Sequence, residues 1–544
     1  MKSLIILFAV LFICSPRDVN SQVSQEWAKR LNSSGTSNDY VHAMTYDAAG
    51  NVYVTGAGGS NYLTVKYSPE GTVLWQAVYN GPANDADYGT AIAVDAAGNV
   101  YVTGRSFGNS TGTDFATIKY DAVGTQLWLQ RYNGTNNDDD SPVSICVDAA
   151  GNVYAGGWAS RTTTGLDFAI VKYSAAGSQV WARNYSGPGS ANDFMNMMVI
   201  DASGNLYATG SSRGATNDDY ATVKYSSAGT LLWSVRYEGS GVDEGTALTV
   251  DLQGNVIVTG SSVALNGKDY TTIKYNNAGV QQWLKRYNRT ASTEDEPVGL
   301  VSDNTGNIYV TGYCEGLNTT SLDYVTLKYN PNGDQQWVKI FNSGLVGVDD
   351  KATSIDIDPS GNIYVTGTTI SSGSDVDYGT VKYSPAGDVL WSVLYESNLS
   401  GNDNAKILKC DNNGNVYVSG HATGSVSGLD YLTVKYSQPI GITPISTEVP
   451  EGFSLGQNYP NPFNPVTNIG LRIARFGFVS LKVFDITGKE IAVLVNENLN
   501  AGTYNVDFDA SQLASGTYFY RLVVGDNTNS GGSFTDVKKM IVVK

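Results

Sequence analysis

The feature that most constrains this chain is a stretch that it writes eight times. A Gly-Asn pair recurs at Gly50, Gly98, Gly151, Gly204, Gly254, Gly306, Gly361 and Gly414, at spacings of 48, 53, 53, 50, 52, 55 and 53 residues. Self-similarity at such a period marks one supersecondary unit repeated, each copy needing a neighbour to bury its apolar face. The clearest copy, Tyr88 to Tyr132, holds four short alternating runs, GTAIAVD, NVYVTG, DFATIKY and TQLWLQRY, here runs A to D. Val, Ile, Thr, Tyr and Trp dominate them, as half-buried strands favour. Run A ends in Asp-Ala-Ala-Gly-Asn, and the C–D connection again carries a glycine. Both suit tight hairpins, whose backbone needs positive φ. No stretch keeps a helical period.

Four antiparallel strands per copy read as the blade of a β-propeller. The tryptophan of run D occurs at Trp75, Trp128, Trp181, Trp233, Trp283, Trp337 and Trp391, seven times and not eight. The eighth copy breaks off at Ser437, after its run C. The missing strand stands at the other end of the chain, where Gln25–Leu31 matches run D in type and phase around Trp27. The fold expected is therefore all-β: an eight-bladed β-propeller over residues 22–437, closed by its N-terminal strand so that no edge stays open.

Residues 1–21 have the layout of a cleavable signal peptide: Lys2, an apolar run from Leu4 to Ile13, and small or apolar residues before Gln22. A lipid-anchored Cys14 would want a small residue before it, and Ile13 stands there. No later run approaches the roughly 20 apolar residues of a spanning helix, so no transmembrane anchor is expected. Cys146, Cys314 and Cys410 fall in different copies and match no metal-ligand spacing, and are read as buried small hydrophobes. The formal net charge is −17, yet residues 453–544 hold eight basic and seven acidic residues, so the acid excess lies in the repeats. That balance argues against a nucleic-acid partner, whose binders are basic.

Residues 438–452, QPIGITPISTEVPEG, break the pattern and read as a linker. Beyond them NIGLRIA, VSLKVFD, EIAVLVN, GTYNVDF, GTYFYRLVV and KKMIVVK alternate again. Six or seven strands in residues 453–544 make a small Ig-like β-sandwich.

These residues resemble the type A C-terminal sorting domain of the type IX secretion system. The likeness rests on Asn458-Tyr459-Pro460-Asn461-Pro462-Phe463-Asn464-Pro465, VSLKVFDITGKEIAVLV, AGTYNVDFD, SGTYFYRLVV and the terminal KKMIVVK. Where that family has Leu-Pro after its first strand, Ile473-Ala474-Arg475 stands here. The resemblance implies passage through the periplasm, engagement of the type IX machinery by residues 453–544, and an end point outside the cell or on its surface. The repeats resemble the SBBP-type β-propeller repeat in GNVYVTG and its surroundings, a family without a single activity. A looser likeness to quinoprotein propellers lies in turns such as Gly387-Asp388-Val389-Leu390-Trp391, but the adjacent cysteine pair of those enzymes is absent.

Two sets of positions are candidate sites. An Asp opens run A in every copy: Asp39, Asp87, Asp140, Asp193, Asp243, Asp295, Asp350 and Asp403. Each can cap its own loop by accepting local N–H groups, and an Asn would then replace it at small cost. Alternatively the eight form a carboxylate ring that holds calcium. The run C lysines, Lys66 to Lys435, are expected to pair with carboxylates. Where the copies differ, at the residue after run B's glycine, stand Ala57, Arg105, Trp158, Ser211, Ser261, Tyr313, Thr368 and His421, expected to open the B–C loops. Arg105, Trp158, Tyr313 and His421 are the candidate ligand-binding rim, since aromatic, guanidinium and imidazole groups suit a polar or sugar-like ligand.

Catalytic signatures are thin. The chain has two histidines, His42 and His421, and no H-E-x-x-H, P-loop or G-x-S-x-G. The expectation is a secreted or cell-surface binding or adhesion module without a cofactor, recognising carbohydrate or another exported protein. The alternative is a secreted polysaccharide hydrolase or lyase, or a quinoprotein-like enzyme, on the same scaffold.

Overall fold

In a computed structural model of the protein the described residues are 23–33, 35–264, 267–289, 295–316, 321–345, 347–370, 375–397, 401–412, 414–424, 428–437, 442–446, 448–510, 513–525 and 534–544. The expected signal segment, residues 1–21, lies outside them. The described chain is all β-strand, with no helix, and its strands form ten four-stranded sheets. It divides into two compact units, one taking in Trp27–Asp411 and Tyr417–Val434, the other Val23–Glu26, Asn412–Val416 and Lys435–Lys544.

Eight sheets come from the repeats. The first is Asp39–Tyr46, Val52–Gly58, Asn61–Tyr67 and Val73–Tyr79, hydrogen-bonded in that order. Sheets two to seven repeat this meander. The eighth combines Asp403–Cys410, Val416–Thr423 and Leu429–Ser437 with Ser24–Leu31, and the N-terminal strand takes the fourth place. Tight turns join first to second strands: Asp95 Oδ1 accepts the N–H groups of Ala97 (2.9 Å) and Asn99 (2.9 Å), and Gly98 sits at φ 80°. Tyr101 OH closes the turn by donating to Asp95 Oδ2 at 2.8 Å. Burial alone would raise the Asp95 pKa, but these hydrogen bonds outweigh it and the carboxyl titrates below its usual range.

Sheets one to six are each tied to the next by a tryptophan of the fourth strand. Trp75 Nε1 donates to Ala122 O (3.2 Å), Trp128 to Ala175 O (3.2 Å), Trp233 to Asn277 O (3.0 Å) and Trp337 to Pro385 O (3.2 Å). The accepting carbonyl lies in the third-to-fourth turn of the following sheet, whose glycine rests on the same indole. A Cβ on Gly124 would lie 2.8 Å from Trp75, and one on Gly177 2.7 Å from Trp128. Trp27 makes the same contact: it donates to Pro69 O at 2.9 Å and lies under Gly71, in sheet one. The lysine of the third strand reaches the same carbonyl, as Lys66 to Ala122 O at 3.2 Å, from over the ring of Tyr53. A carboxylate partner for this lysine, expected throughout, appears at Lys274–Asp251 (3.1 Å) and Lys382–Asp358 (4.0 Å). At Lys66, Lys119, Lys172, Lys224 and Lys328 the tyrosine face and the turn carbonyl take its place.

A second pairing runs within sheets. The arginine three residues after the tryptophan meets the Asp of the third strand: Arg131–Asp114 and Arg236–Asp219 at 2.6 Å, Arg286–Asp269 at 3.0 Å. Arg30 meets Asp430 at 3.7 Å in the eighth sheet. The first strands run side by side from sheet one to sheet eight, and that of sheet eight also lies beside that of sheet one. Tyr431 OH of sheet eight donates to Leu63 O of sheet one at 3.2 Å, as Tyr378 OH does to Leu432 O and Tyr62 OH to Ala116 O.

In the second unit two four-stranded sheets share one core, with Ile469, Leu471, Val506 and Phe508 from one and Val479, Leu481, Tyr520 and Leu522 from the other. Asn458 is buried there, its N–H donating to Tyr520 OH (2.7 Å) and its Nδ2 to Thr467 Oγ1 (2.9 Å). Asn461 Oδ1 accepts the N–H of Ile541, in the last strand, at 2.9 Å. The Asn-Tyr-Pro-Asn-Pro-Phe segment is thus fastened to the chain's end. The expected linker is not wholly irregular: Ile442–Ser446 is a strand paired with Gly502–Asp509.

Deleting Val23–Leu31 should expose the edge of the eighth sheet and take the Trp27 indole from Pro69 O and the Arg30 guanidinium from Asp430. A fall in melting midpoint with association in size-exclusion chromatography is expected. Trp27→Ala alone should cost about 3–5 kcal/mol by denaturant titration.

Candidate functional site

The eight run A aspartates are each essentially buried at the start of a first strand. Each carboxylate turns to the loop that precedes it. Asp39 accepts the N–H of Ser33 (2.7 Å), Asp193 that of Gly187 (2.7 Å), Asp295 that of Arg289 (2.9 Å), Asp350 that of Ser343 (2.8 Å) and Asp403 that of Ser397 (2.9 Å). Gly239 N–H donates to Asp243 in the same way. Four of them use their second oxygen on a backbone N–H at the end of the second strand: Asp39 with Gly59 (2.8 Å), Asp87 with Phe107 (3.1 Å), Asp140 with Ser160 (2.7 Å) and Asp193 with Arg213 (3.0 Å). The first oxygens of Asp87 and Asp140 take Gly81 and Gly134 N–H, both at 2.5 Å. An Asn would turn its NH2 toward one of these donors, so the cheap exchange expected from the sequence does not hold at two-oxygen caps. Among the described residues no three His, Cys, Asp or Glu side chains cluster as metal ligands would.

The variable position is not in a loop. Second strands run past it, so Arg105 pairs with Tyr88 and Phe115, Trp158 with Ser141 and Phe168, and Tyr313 with Glu296 and Tyr324. The glycine before it lets the neighbouring backbone close in: a Cβ on Gly104 would lie 2.1 Å from Tyr88 O. The expectation that these residues open the B–C loops is therefore corrected, because the ladder survives the glycine.

Their partners on the first strands complete a continuous arrangement. The Tyr40 ring meets His421 edge-on with centroids 5.1 Å apart, and His42 meets Tyr88 at 5.3 Å. Arg105 donates to Tyr88 OH (3.0 Å) and its guanidinium lies over Trp158, 5.6 Å from the ring centre. Trp158 in turn meets Phe194 at 5.6 Å. Further along, Asn196 Nδ2 donates to Glu244 Oε1 at 2.8 Å. Tyr313 OH and Lys268 Nζ both reach Glu296 at 2.5 Å, and Lys351 lies over Tyr313 at 5.8 Å. Arg105 and Trp158 thus belong to one run and His421 to a second, the two meeting on strand Asp39–Tyr46 to make a row, while Tyr313 belongs to a separate charged cluster. Sequence reading missed Tyr40, Tyr88, Phe194, Glu244 and Glu296, each one residue after the recurring Asp. Their alternation with the buried third residue was the available signal.

In sheets one to seven a bulge interrupts the first-strand pairing one residue further on, between Val41 and Ala43 in sheet one. The extra side chain bonds the next sheet: His42 Nδ1 donates to Gly89 O (2.8 Å), Thr90 to Pro142 O (2.7 Å) and Thr353 to Ala405 O (3.1 Å). Loss of water lowers the His42 pKa, the Gly89 bond opposes this, and Lys406 adds to the lowering. Burial, then Lys406 and His42, take His421 down to about 4. Both imidazoles are neutral at pH 7.

Two family models match the chain: a secretion system C-terminal sorting domain over residues 457–542, and a β-propeller repeat of the SBBP type over 336–373. No curated protein sequence matches it. Among solved structures it is similar to the extracellular domain of a hybrid two-component system from B. thetaiotaomicron, at 10% identity over 92% of this chain and 68% of that one, TM-score 0.32. Sqt1 from Chaetomium thermophilum aligns at 10% identity over 75% and 100%, TM-score 0.44. The periplasmic gluconolactonase of Pseudomonas aeruginosa aligns at 14% over 70% and 98%, TM-score 0.41. Scores at this level carry no argument about activity. The family matches define a secreted β-propeller repeat protein. Its sorting domain addresses it through the periplasm and the type IX system to the cell surface or the medium. No described helix is long and apolar enough to cross a membrane.

Burial raises the Asp140 pKa to about 6, against the hydrogen bonds from Gly134 and Ser160, which lower it. An acid whose pKa is raised on folding stabilises most when protonated, so its contribution falls as pH rises from about 4 to about 6. The loss of stability in Asp140→Ala, measured by denaturant titration, should be about 2 kcal/mol greater at pH 4.5 than at pH 7.

Proposed function

We propose that the eight repeat sheets are blades of one closed propeller over residues 22–437, joined by residues 438–452 to a sorting domain, and that the mature protein binds carbohydrate outside the cell. Closure is supported by Trp27 on Pro69 O, Arg30 beside Asp430, and Tyr431 on Leu63 O, which repeat between sheets eight and one the contacts made elsewhere. The binding site is the row at the long-loop end of the first strands. The observation that carries this reading is a pair of contact runs that both start on strand Asp39–Tyr46, one from Tyr40 to His421 and the other from His42 through Tyr88 and Arg105 to Trp158 and Phe194. These vary from sheet to sheet while the scaffold residues beneath them do not. Flat aromatic rings beside guanidinium and imidazole donors match a saccharide, which offers apolar ring faces and hydroxyl edges.

The mature chain, residues 22–544, should retain on a glycan array a subset of polysaccharides without releasing products from them. Trp158→Ala should weaken binding tenfold or more, about 1.4 kcal/mol. Product formation from a bound glycan would replace the binding reading with an enzymatic one. Removing residues 453–544 should empty the extracellular fraction and leave folded propeller in the periplasm, with its glycan affinity unchanged.

A further inference from the structure

We infer that the saccharide taken at this row carries negative charge, as a uronate or sulfate ester, and is held on the arc formed by sheets eight, one, two and three. The inference rests on the carbohydrate-binding reading and adds the ligand's chemistry to it. Its first support is a reversal of charge. The chain has 51 acidic against 34 basic residues, with the excess acid in the repeats. Yet at the three positions that form the row (the residue after the buried Asp, the bulge, and the second-strand partner) sheets eight, one, two and three carry no carboxylate. They carry the cations Lys406 and Arg105 instead, together with the neutral imidazoles of His42 and His421. Carboxylates at these positions appear in sheets five and six, where Glu244 is held by Asn196 and Glu296 by Lys268 and Tyr313.

The second support is unused donor capacity. Lys406 stands three residues after Asp403, as the bulge residues of the other sheets follow their own Asp; it is exposed and makes no ion pair or hydrogen bond with a described residue. It lies near enough to both imidazoles to disfavour their protonation. Arg105 keeps a buried Nε without an acceptor, and its nearest carboxylate, the half-exposed Asp139, is 4.0 Å away. His421 is 7% exposed, and its Nδ1 has no partner. A buried polar atom left so costs free energy that a ligand recovers by bonding it. Lys406 and Arg105 stand on either side of the Tyr40, His42 and Tyr88 rings, so an extended chain can place sugar faces on the rings and anionic groups on the cations. Anion and guanidinium or ammonium pair strongly where water is thinned, and the pairing is screened by salt.

The test uses the mature chain with polygalacturonate, a sulfated galactan and dextran as probes, at 50 mM and 500 mM NaCl. Binding of one anionic polymer and not of dextran, weakened at least tenfold at high salt, is the expected result. Lys406→Gln, at an exposed position that cannot unfold the protein, should weaken binding about tenfold, and Arg105→Gln should do so with the melting midpoint as a control. Equal, salt-insensitive binding of dextran would overturn the charge assignment and leave the carbohydrate reading intact. Binding of a neutral glycan from the array while both anionic polymers fail would do the same. No binding of any polysaccharide would overturn both.

Discussion

Everything in the repeat region depends on an indole held under the next sheet's turn. The tryptophan donates to a turn carbonyl and lies against a glycine whose positive φ and missing side chain let the backbone approach. The glycine therefore answers two demands, the hairpin's dihedral and the neighbour's ring. A side chain there would strain the first and collide with the second. The contact runs from each of sheets one to six to its successor, and the fourth strand of sheet eight and the turn of sheet one supply one further donor and acceptor. Trp27 and Pro69 O are those two groups, and they meet. A chain that begins with the fourth strand of its last sheet gains by this a fastening between sheet eight and sheet one.

Much of this was legible because it recurs. Period, alternation and the count of tryptophans point to Gln25–Leu31 as the fourth strand of the last sheet, and the chain places Ser24–Leu31 there. Recurrence also announced the run A aspartates, though not that several use both oxygens, since that depends on a second donor twenty residues away. The Arg–Asp pairs were equally present in the letters, three residues after each of several tryptophans, but only the register across the third and fourth strands makes them neighbours. The lysines show where pattern misleads. A repeated cation suggests a repeated anion, yet most of the lysines lie over a tyrosine ring and reach a carbonyl.

The candidate site was legible at its second-strand half alone. Arg105, Trp158 and His421 stood out because the template ends at their position, while Tyr40, Tyr88 and Phe194 looked like ordinary members of alternating strands. What joins the halves is the pairing of Tyr88 with Arg105 and Ser141 with Trp158, together with the lateral approach of successive sheets. Neither is a property of any one repeat. The free cysteines fit the same pattern of local neutrality: Cys314 and Cys410 are buried, in different sheets, and burial raises both thiols far above their ordinary range.

A division of labour follows from where constancy stops. Along each first strand the buried Asp fixes the loop above, and the third residue, such as Val41 or Met195, is fully buried. Between them the second residue faces outward, and beyond them the bulge sets one extra side chain beside it. These positions carry no part of the tryptophan ladder and no turn, so substitution there leaves the sheets' mutual grip untouched. The bulge qualifies this freedom. His42, Thr90, Asn196 and Thr353 each bond a carbonyl of the following sheet, so a change at a bulge alters both the surface and the seam below it. Lys406, at the corresponding position of sheet eight, makes no such bond with a described residue. An ammonium group left in solvent there, in a region otherwise rich in acid, contributes nothing to the seam, and its free charge is available to whatever the row holds.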